Sequence, residues 1–325
     1  MKFLIVGLGS MGKRRVRCLK ALGFEEITGF DQRKDRRAEA EDLYGIRTIS
    51  SLRAAGPRSF DALVISTPPD MHKTYMELAL KLNRPAFVEA SVISEGLPAI
   101  SAAARKKGLL IAPSCTLRFH PAIKDIKDIV KSGRYGKVTN LSYHSGQYLP
   151  DWHPWEPVKD YYVSRQQTGG GREIVPFELT WFVDVLGFPK DIKGFFGGTM
   201  DVGADIADTY SVVMRWRDFY GTMLVDVVSR YAVRHLILNM ERGQIMWRWD
   251  QPRVNLYDAP AGRWITYGQK QTRAARGYNV NIAEEMYIEE ISAFVAAVQG
   301  RRAFPNTLDD DIRVLRLLEK AEARQ

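Results

Sequence analysis

The sequence predicts an α/β domain followed by an α+β domain with a largely antiparallel sheet, and three observations support this division. Strand and helix patterns alternate from residue 1 to about residue 118, which is typical of a parallel sheet with helical crossovers. A glycine-rich turn follows the first strand. From about Lys190 to Thr266, apolar and polar residues alternate in several runs separated by turn signals, which predicts antiparallel strands with one buried face. We therefore expect domains over residues 1–118 and 119–325.

The opening stretch "KFLIVGLGSMGKRRVRCLKALGF" predicts a strand, a tight turn and a helix. Gly7 permits the turn, Gly9 lets a backbone approach a pyrophosphate, and Gly12 lets the helix pack on the strand. The helix N-terminus offers unpaired N–H groups to the phosphates. The turn residues expected to contact a dinucleotide are Gly7, Gly9, Ser10, Met11 and Gly12.

The second strand ends at Asp31, which lies 19 residues after Gly12. An acidic residue at about this distance accepts hydrogen bonds from the adenosine ribose hydroxyls, and the combination is the fingerprint of a doubly wound Rossmann domain. Gln32 and Arg33 follow and are expected to be further cofactor contacts. The basic residues that could hold the 2′-phosphate of NADP, or that could simply be solvated, are Arg33, Lys34, Arg36 and Arg37. Because Asp31 would repel that phosphate, we predict NAD, with NADP as the alternative.

The remaining elements follow in order. The runs "FDALVIST", "PAFVEA" and "LLIAPSC" predict three further parallel strands, each of the first two followed by a helix. After residue 118, a helix ends at "KSGRYG", and the strand "KVTNLSYHSGQYL" leads into an aromatic loop. Helices near Ala283–Val298 and Leu308–Ala323 are predicted to close the chain.

The composition is that of an ordinary soluble globular protein, since the 325 residues are 45% hydrophobic and 26% charged. No apolar run reaches the ~18 residues that a membrane span needs, and no signal-peptide pattern precedes the first strand, which predicts a cytoplasmic protein. Cys18 and Cys115 have neither a metal-binding spacing nor a disulfide framework, so we predict no metal and two core cysteines. The net charge of +9 is spread over helix faces without interleaved aromatic residues, which predicts no nucleic-acid partner.

Five motifs together resemble the Gfo/Idh/MocA oxidoreductases over nearly the whole chain: "GLGSMG", "STPPDMH", a Glu that ends the fifth strand, "RFHPAI", and "GGG" before a helix. Within the family, the chain resembles members linked to bacterial surface-sugar biosynthesis. The resemblance implies two domains, NAD or NADP, a sugar, cyclitol or nucleotide-sugar substrate, and a homodimer or homotetramer. It also implies cofactor contacts at Thr67, Pro68, His72, Glu89 and Arg118, and a substrate contact at His120. Alternatively, Thr67 and Pro68 simply end a strand, and His72 simply caps a helix.

The chain departs from the family at both usual proton carriers. Ala90 and Ser91 follow Glu89 where the family commonly has Lys-Pro, and Phe177 and Thr180 align with a customary His and Asp. Because positioned acid–base help is typically worth ~10²–10⁴-fold in rate, either other residues carry the proton or the fold has lost its redox chemistry.

The candidates for a replacement proton carrier lie around the aromatic loop and the helix after the glycines: Tyr143, His144, Tyr148, His153, Lys159, Glu173 and Glu178. His153 is the first choice because its unperturbed pKa suits proton transfer near neutrality. Glu173 is its expected orienting or alternate carboxylate, and a salt bridge to Arg172 is the alternative. If Pro176 begins the helix, Glu178 lies in the first turn, where its role is to cap the helix rather than to catalyse the reaction. The expected substrate contacts are His120, Tyr148, Lys159 and Arg172.

These residues predict an NAD(P)-dependent oxidoreductase that transfers a hydride between nicotinamide and a sugar or nucleotide-sugar hydroxyl or ketone, with a non-standard acid–base group. Two alternatives stay open. One is a cofactor-binding sugar sensor or regulatory protein without turnover. The other is a hydrolase or lyase that uses bound NAD transiently.

Overall fold

The computed structural model describes residues 1–54, 59–269 and 284–323. The chain forms two compact units, the first comprising Met1–Thr116 and Glu284–Arg313, and the second comprising Leu117–Ala283 and Val314–Gln325. The first segment ends close to the predicted boundary at residue 118. The prediction assigned Glu284–Arg313 to the second domain, whereas this segment clusters with the first unit.

The first unit contains a six-stranded parallel sheet in the order β3-β2-β1-β4-β5-β6. Its strands are β1 (Phe3–Val6), β2 (Ile27–Phe30), β3 (Arg47–Ile49), β4 (Ala62–Ile65), β5 (Ala86–Val88) and β6 (Ile111–Pro113). The central strands β1 and β4 are apolar and buried throughout, as expected for a parallel sheet that is covered on both faces. The strand order reverses between β1 and β4, and in such sheets ligands bind at the carboxyl ends of the strands beside this point. The predicted Rossmann architecture is confirmed.

The helices of the chain are α1 (Ser10–Ala21), α2 (Lys34–Tyr44), α3 (His72–Leu82), α4 (Leu97–Lys107), α5 (Pro121–Lys131), α6 (Gly171–Leu186), α7 (Glu284–Val298) and α8 (Leu308–Glu322). The first four helices and α7 belong to the first unit, and α5 and α6 belong to the second unit. The two closing helices were predicted near these bounds, although Ala283 lies outside the described residues. In the described part of the chain, no helix is long and apolar enough to cross a membrane.

The second unit is built on an eight-stranded sheet in the order β14-β13-β12-β11-β7-β10-β9-β8. Its strands are β7 (Val138–Tyr148), β8 (Asp191–Gly197), β9 (Thr209–Arg215), β10 (Tyr220–Asp226), β11 (Val228–Met240), β12 (Gly243–Arg248), β13 (Arg253–Asp258) and β14 (Arg263–Gly268). All neighbouring strands pair antiparallel except β7 and β10, which pair parallel. The predicted α+β domain with a largely antiparallel sheet is confirmed.

One face of this sheet is buried and the other is exposed. On β9, Tyr210, Val212 and Met214 are buried, whereas Val213 between them is 52% exposed. The inward residues join α5 and α6 in one apolar core that includes Trp181. This alternation is the period-2 pattern from which the strands were predicted.

Helix α6 begins earlier than predicted. Gly170 has a φ of 65°, and the Gly171 N–H donates to the Ala207 carbonyl oxygen at 2.9 Å, so the backbone enters the helix at Gly171. Pro176 lies inside the helix, where it lacks the N–H that would bond the carbonyl four residues before it. The possibility that Pro176 begins the helix and places Glu178 in its first turn is therefore excluded.

Candidate functional site

Two glycines of the first turn are required by packing. Gly7 has a φ of +93°, and a Cβ added there would lie 2.6 Å from the Ser66 carbonyl oxygen. A Cβ on Gly12 would lie 1.9 Å from the Gly7 carbonyl oxygen. Neither position accepts a side chain without backbone movement, so these glycines bring α1 close to β1 and β4.

Gly9 has a different environment, because the nearest atom to a Cβ added there is Arg36 Nη1 at 3.5 Å. Gly9 is also the N-cap of α1, with no side-chain capping bond and no acidic residue in the first turn of the helix. The N-terminal N–H groups and the positive end of the helix dipole therefore favour an anion in the space beside Gly9. This arrangement fits the pyrophosphate of a dinucleotide.

Asp31 lies at the carboxyl end of β2 and is 8% exposed. Its two carboxylate oxygens accept from the N–H groups of Leu8, at 2.8 Å, and Arg33, at 2.9 Å. The Arg33 side chain pairs with Asp35, whereas Arg36 Nη1 lies 3.8 Å from the Asp31 carboxylate. The arginine beside both Asp31 and Gly9 is therefore Arg36. A carboxylate at this place fits the ribose hydroxyls of NAD.

His72 connects the chain after β4 to the chain after β5. Its Nε2 lies 2.9 Å from the Thr67 carbonyl oxygen, and its Nδ1 lies 3.1 Å from Ser91 Oγ. Burial lowers the pKa of His72 to about 4, so the ring is neutral near pH 7 and both nitrogens are engaged. The residue at the N-cap of α3 is Met71, so His72 is not the helix cap. The Thr67 hydroxyl oxygen is buried without a hydrogen-bond partner in the described structure, which suits a contact with a bound ligand.

Glu89 follows β5 and forms a two-point ion pair with Arg15. Its carboxylate oxygens lie 2.6 Å from Arg15 Nε and 2.9 Å from Arg15 Nη2, and Oε1 also accepts from the Ser66 hydroxyl at 3.2 Å. Both carboxylate oxygens of Glu89 are therefore engaged by the protein, and the carboxylate has a fixed orientation.

The two family positions on α6 hold no proton carrier. Phe177 is partly buried against the core of the second unit, and the Thr180 hydroxyl donates to the Phe177 carbonyl oxygen at 2.7 Å. Arg118, a predicted cofactor contact, belongs to the second unit, and its Nε donates to the Thr180 carbonyl oxygen at 3.0 Å.

Glu178 is fully buried and accepts four hydrogen bonds. The donors are the Tyr143 hydroxyl at 2.7 Å, the Ser145 hydroxyl at 2.8 Å, Trp181 Nε1 at 3.0 Å and Arg234 Nε at 2.8 Å. These bonds satisfy the carboxylate inside the core, which favours a structural role for Glu178 and for Tyr143.

Glu173 lies on the same helix in a different environment. Its Oε1 accepts from the Tyr162 hydroxyl at 2.8 Å, whereas its Oε2 is buried without a hydrogen-bond partner in the described part of the chain. Burial raises the pKa of Glu173 to about 7, although the bond from Tyr162 opposes this shift. The alternative for Glu173, a salt bridge to Arg172, is wrong, because Arg172 pairs with Glu322 at 2.8 Å.

His153 lies between two parallel aromatic rings, with ring centroids 4.9 Å from Trp155 and 4.5 Å from Tyr161. Its Nδ1 lies 2.7 Å from a carboxylate oxygen of Glu156. The carboxylate that orients His153 is therefore Glu156, not Glu173 as predicted. The spacing of three residues between His153 and Glu156 is the sequence signal that could have identified this partner.

We call residues 152–173, from the loop after β7 to the first turn of α6, the aromatic segment. Three of its buried polar atoms lack a hydrogen-bond partner among the described residues: Trp152 Nε1, the Tyr161 hydroxyl and Glu173 Oε2. Burial first, and then the negative charges of Glu156 and Glu173, raise the pKa of Tyr161, so these groups share one electrostatic environment. Unpartnered buried polar atoms are costly, and hydroxyl groups of a bound ligand could satisfy donors and acceptors of this kind.

The other predicted contacts of the second unit are dispersed. Tyr148 ends β7 with the Arg230 guanidinium 3.9 Å from its ring centroid, and Lys159 is exposed on a short turn. His120 caps α5 by accepting from the Ala122 N–H at 3.2 Å, and burial lowers its pKa to about 3. His144 Nε2 lies 2.6 Å from an Asp226 carboxylate oxygen. Of the predicted set, the structure brings His153 and Glu173 near one another, since Tyr161 stacks on His153 and interacts electrostatically with Glu173. Tyr161 itself was not predicted.

Residues 1–113 match the family model of the Gfo/Idh/MocA oxidoreductases, described as an oxidoreductase family with an NAD-binding Rossmann fold. The resemblance predicted from the motifs is confirmed for these residues, which match the description of an NAD-binding Rossmann fold. No curated protein sequence matches the chain.

Solved structures match the fold of the whole chain. An oxidoreductase from Agrobacterium radiobacter, in complex with NAD⁺, L-tartaric acid and magnesium, has a TM-score of 0.85 and 15% identity, covering 99% of this chain and 95% of that chain. Levoglucosan dehydrogenase in complex with NADH and levoglucosan has a TM-score of 0.82 and 14% identity, covering 99% and 96%. UDP-N-acetylglucosamine 3-dehydrogenase from Acidithiobacillus ferrooxidans has a TM-score of 0.79 and 18% identity, also covering 99% and 96%.

Proposed function

We propose that this protein is an NAD-dependent oxidoreductase that interconverts a hydroxyl and a ketone on a sugar or nucleotide sugar. The observation that carries the proposal is that buried polar atoms of Trp152, Tyr161 and Glu173 lack a hydrogen-bond partner among the described residues, in a chain whose residues 1–113 match an NAD-binding family model. Levoglucosan and UDP-N-acetylglucosamine, named for two structures of the same fold, are both rich in hydroxyl groups.

The aromatic segment has the chemistry that a sugar requires. The indole N–H of Trp152 is a donor, Glu173 Oε2 is an acceptor, and the Tyr161 hydroxyl is both. Trp155 is 65% exposed and offers a ring face to the C–H groups of a sugar. These side chains would hold one hydroxyl-bearing carbon in a fixed orientation, which lowers the entropic part of the barrier.

Bound NAD supplies the group that accepts or donates the hydride, and the protein must move the hydroxyl proton. We assign this proton to Glu173. Its pKa of about 7 lies near the operating pH, and its Oε2 is not engaged by the described protein atoms. His153 is the second candidate, since Glu156 holds its Nδ1 in the arrangement that orients a general base.

The experiment is a substrate screen followed by matched variants. Purified protein is incubated with NAD and a panel of sugars and nucleotide sugars, and reduced nicotinamide is followed by its fluorescence. On the best substrate, Glu173→Gln should lower kcat by about 10²-fold or more while leaving the Kd for NAD unchanged. His153→Ala tests the second candidate, and Glu156→Gln is the control for its orientation.

Full activity of Glu173→Gln would reject Glu173 as the proton carrier. Sugar binding without turnover in the wild-type protein would indicate a sensor instead. Conversion of substrate without net nicotinamide reduction would indicate a hydrolase or lyase that uses NAD transiently. Calorimetry of sugar binding and chromatography of the reaction mixture, added to the fluorescence assay, distinguish these outcomes.

We further propose that the protein is a homodimer or homotetramer assembled through the open face of its eight-stranded sheet. On three adjacent strands this face carries Phe195, Val213 and Leu224, which are 83%, 52% and 36% exposed. Exposed apolar patches of this kind favour association. Light scattering should report a mass of two or four chains, and Val213→Asp should shift it toward the monomer.

A further inference from the structure

His72 joins two neighbouring loops at the edge of the parallel sheet where ligands bind. Thr67 lies two residues after β4, and Ser91 lies three residues after β5, which pairs with β4. His72 begins α3, and its side chain is buried. Its Nε2 lies 2.9 Å from the Thr67 carbonyl oxygen, and its Nδ1 lies 3.1 Å from the Ser91 hydroxyl oxygen. The imidazole is therefore a bridge between the carboxyl ends of two adjacent strands.

The partners of the His72 ring fix its tautomer. A carbonyl oxygen can only accept a hydrogen bond, so His72 Nε2 carries the hydrogen that is donated to Thr67. Burial lowers the pKa of His72 to about 4, although the nearby charges of Glu89 and Asp70 oppose this shift. The ring is therefore neutral near pH 7, and Nδ1 has no hydrogen. The Ser91 hydroxyl must then be the donor to Nδ1.

Ser91 occupies a position where the family that the motifs resemble commonly has proline. A proline side chain has no hydroxyl, so a chain with the customary residue cannot make this bond to His72. In this chain Ser91 is buried, and it donates to a ring that is itself bonded to the loop after β4. The departure at Ser91 therefore adds a connection between the two loops.

The hydroxyl of Thr67 is the polar group at this bridge that a ligand would have to satisfy. Its Oγ1 is buried without a hydrogen-bond partner among the described residues, whereas the Thr67 carbonyl oxygen is bonded to His72. Thr67 also packs on the glycine turn, since its Cγ2 would lie 3.2 Å from a Cβ added to Gly7. A buried hydroxyl without a partner is costly, and this one lies beside the turn that fits a pyrophosphate.

The position of Thr67 in the sheet assigns its hydroxyl to one half of a dinucleotide. A doubly wound sheet binds a dinucleotide across the point where its strand order reverses, with one nucleotide on each half. Asp31 follows β2 and marks the adenosine half, whereas Thr67 and Ser91 follow β4 and β5 on the other side of the reversal. The nicotinamide nucleotide carries ribose hydroxyls and a carboxamide, and either group can bond a threonine hydroxyl.

We propose that Ser91 and His72 are positioning residues that hold the main chain of Thr67 and so direct the Thr67 hydroxyl to the nicotinamide half of bound NAD. Neither side chain has to touch the cofactor, because Ser91 orients the imidazole and the imidazole holds Thr67. The resemblance to the family implies a direct cofactor contact at His72, which this role replaces. The inference rests on the NAD site of the proposed function but not on its sugar reaction, so it can be tested without a substrate.

Calorimetry with NAD and with ADP tests which half of the cofactor these residues serve, because ADP lacks the nicotinamide nucleotide. Thr67→Val removes the hydroxyl and keeps a similar shape, so it should raise the Kd for NAD by about tenfold and leave the Kd for ADP unchanged. Ser91→Ala should raise the Kd for NAD by about threefold to tenfold, again without an effect on ADP. Ser101→Ala is the matched control. Ser101 is a buried serine of the same unit that donates to Asp309 at 2.6 Å, and its loss should change neither Kd.

The double variant Thr67→Val/Ser91→Ala separates positioning from a general loss of structure. If Ser91 acts only through Thr67, the double variant should bind NAD no more weakly than Thr67→Val alone. Additive losses in the double variant would overturn the proposal. An unchanged Kd for NAD in Ser91→Ala, or equal losses of affinity for NAD and ADP, would overturn it as well.

Nitrogen NMR of the cofactor-free protein adds a measurement that needs no ligand. The chain has five histidines, and the ¹⁵N signal that moves in Ser91→Ala identifies His72. In the wild-type protein at pH 7 this ring should be neutral with its hydrogen on Nε2. A hydrogen on Nδ1, or a spectrum in which no histidine signal moves in Ser91→Ala, overturns the proposal.

The binding measurements also separate this inference from the proposed function. If the wild-type protein binds neither NAD nor ADP, the NAD site of the proposed function is rejected together with the role of Ser91 and His72. If the wild-type protein binds NAD normally and Ser91→Ala binds it equally well, this inference alone is rejected.

Discussion

The glycine turn of the first unit acts through its backbone, whereas helix α6 of the second unit acts through two carboxylates with contrasting surroundings. In the turn, Gly7 and Gly12 exclude any side chain, and Gly9 leaves space at an uncapped helix N-terminus. On α6, Glu178 has four hydrogen-bond donors in the core, whereas Glu173 has one donor and a buried oxygen without a partner among the residues that the structure describes. The role of each glycine in the turn follows from its backbone position. The role of each carboxylate on α6 depends instead on the groups that surround it.

The largest predicted effect tests Glu178 as a structural residue. Arg234→Met leaves the Glu178 charge buried without its cation, and breaking a buried pair in this way costs about 3–5 kcal/mol of unfolding free energy. Chemical denaturation at pH 7 measures this cost. The matched variant Glu173→Gln should remain within about 1 kcal/mol of the wild-type protein at pH 5. Equal destabilisation by both variants would remove the distinction between the two glutamates.

The second prediction tests whether Gly9 is needed for cofactor binding and Gly12 for stability. Gly9→Val places a side chain where the pyrophosphate is expected and should weaken NAD binding by about 10²-fold, with little change in the Tm of the cofactor-free protein. Gly12→Ala puts a Cβ 1.9 Å from the Gly7 carbonyl oxygen and should lower the Tm itself. An unchanged calorimetric Kd for NAD in folded Gly9→Val would refute the pyrophosphate assignment.

The third prediction follows from the raised pKa of Glu173. Its pKa is about 7 in the folded protein against an ordinary value of 4.5, so the folded state binds more protons between these pH values. Stability should therefore fall as the pH rises from about 4.5 to about 7, and level off above that range. Glu173→Gln lacks this titrating group. Between pH 5 and pH 8, the free energy of unfolding of the wild-type protein should therefore fall by about 2 kcal/mol more than that of Glu173→Gln. Parallel stability curves would contradict a raised pKa.

The Gly9 test concerns a residue that the sequence identified, whereas the Glu173 test concerns an environment that the sequence did not reveal. The two sheets could be predicted because the periodicity of apolar residues in a strand or helix is visible within a short stretch of sequence. The glycine turn could be predicted because its glycines lie close together in the sequence. The environment of Glu173 was not predictable, since its Tyr162 partner and its burial arise from the folded aromatic segment. Pro176 was misleading, because the start of α6 is set by Gly170 and by a bond from Gly171 to the distant Ala207.

The smallest predicted effect concerns Asp31, which combines backbone support with cofactor selection. Its carboxylate accepts from the Leu8 N–H at 2.8 Å, so Asp31→Ala would both loosen the glycine turn and remove the negative charge near Arg36. Asp31→Asn separates the two effects, because the amide oxygen can still accept from Leu8 while the charge is lost. We expect Asp31→Asn to shift the ratio Kd(NADP)/Kd(NAD) toward NADP by about tenfold, and Arg36→Ala in the same background to reverse the shift. Arg33→Ala is the control, since Arg33 pairs with Asp35 and should not change the ratio. If calorimetry shows the same ratio in Asp31→Asn and in the wild-type protein, then the backbone bonds of Asp31, and not its charge, are its contribution to the cofactor site.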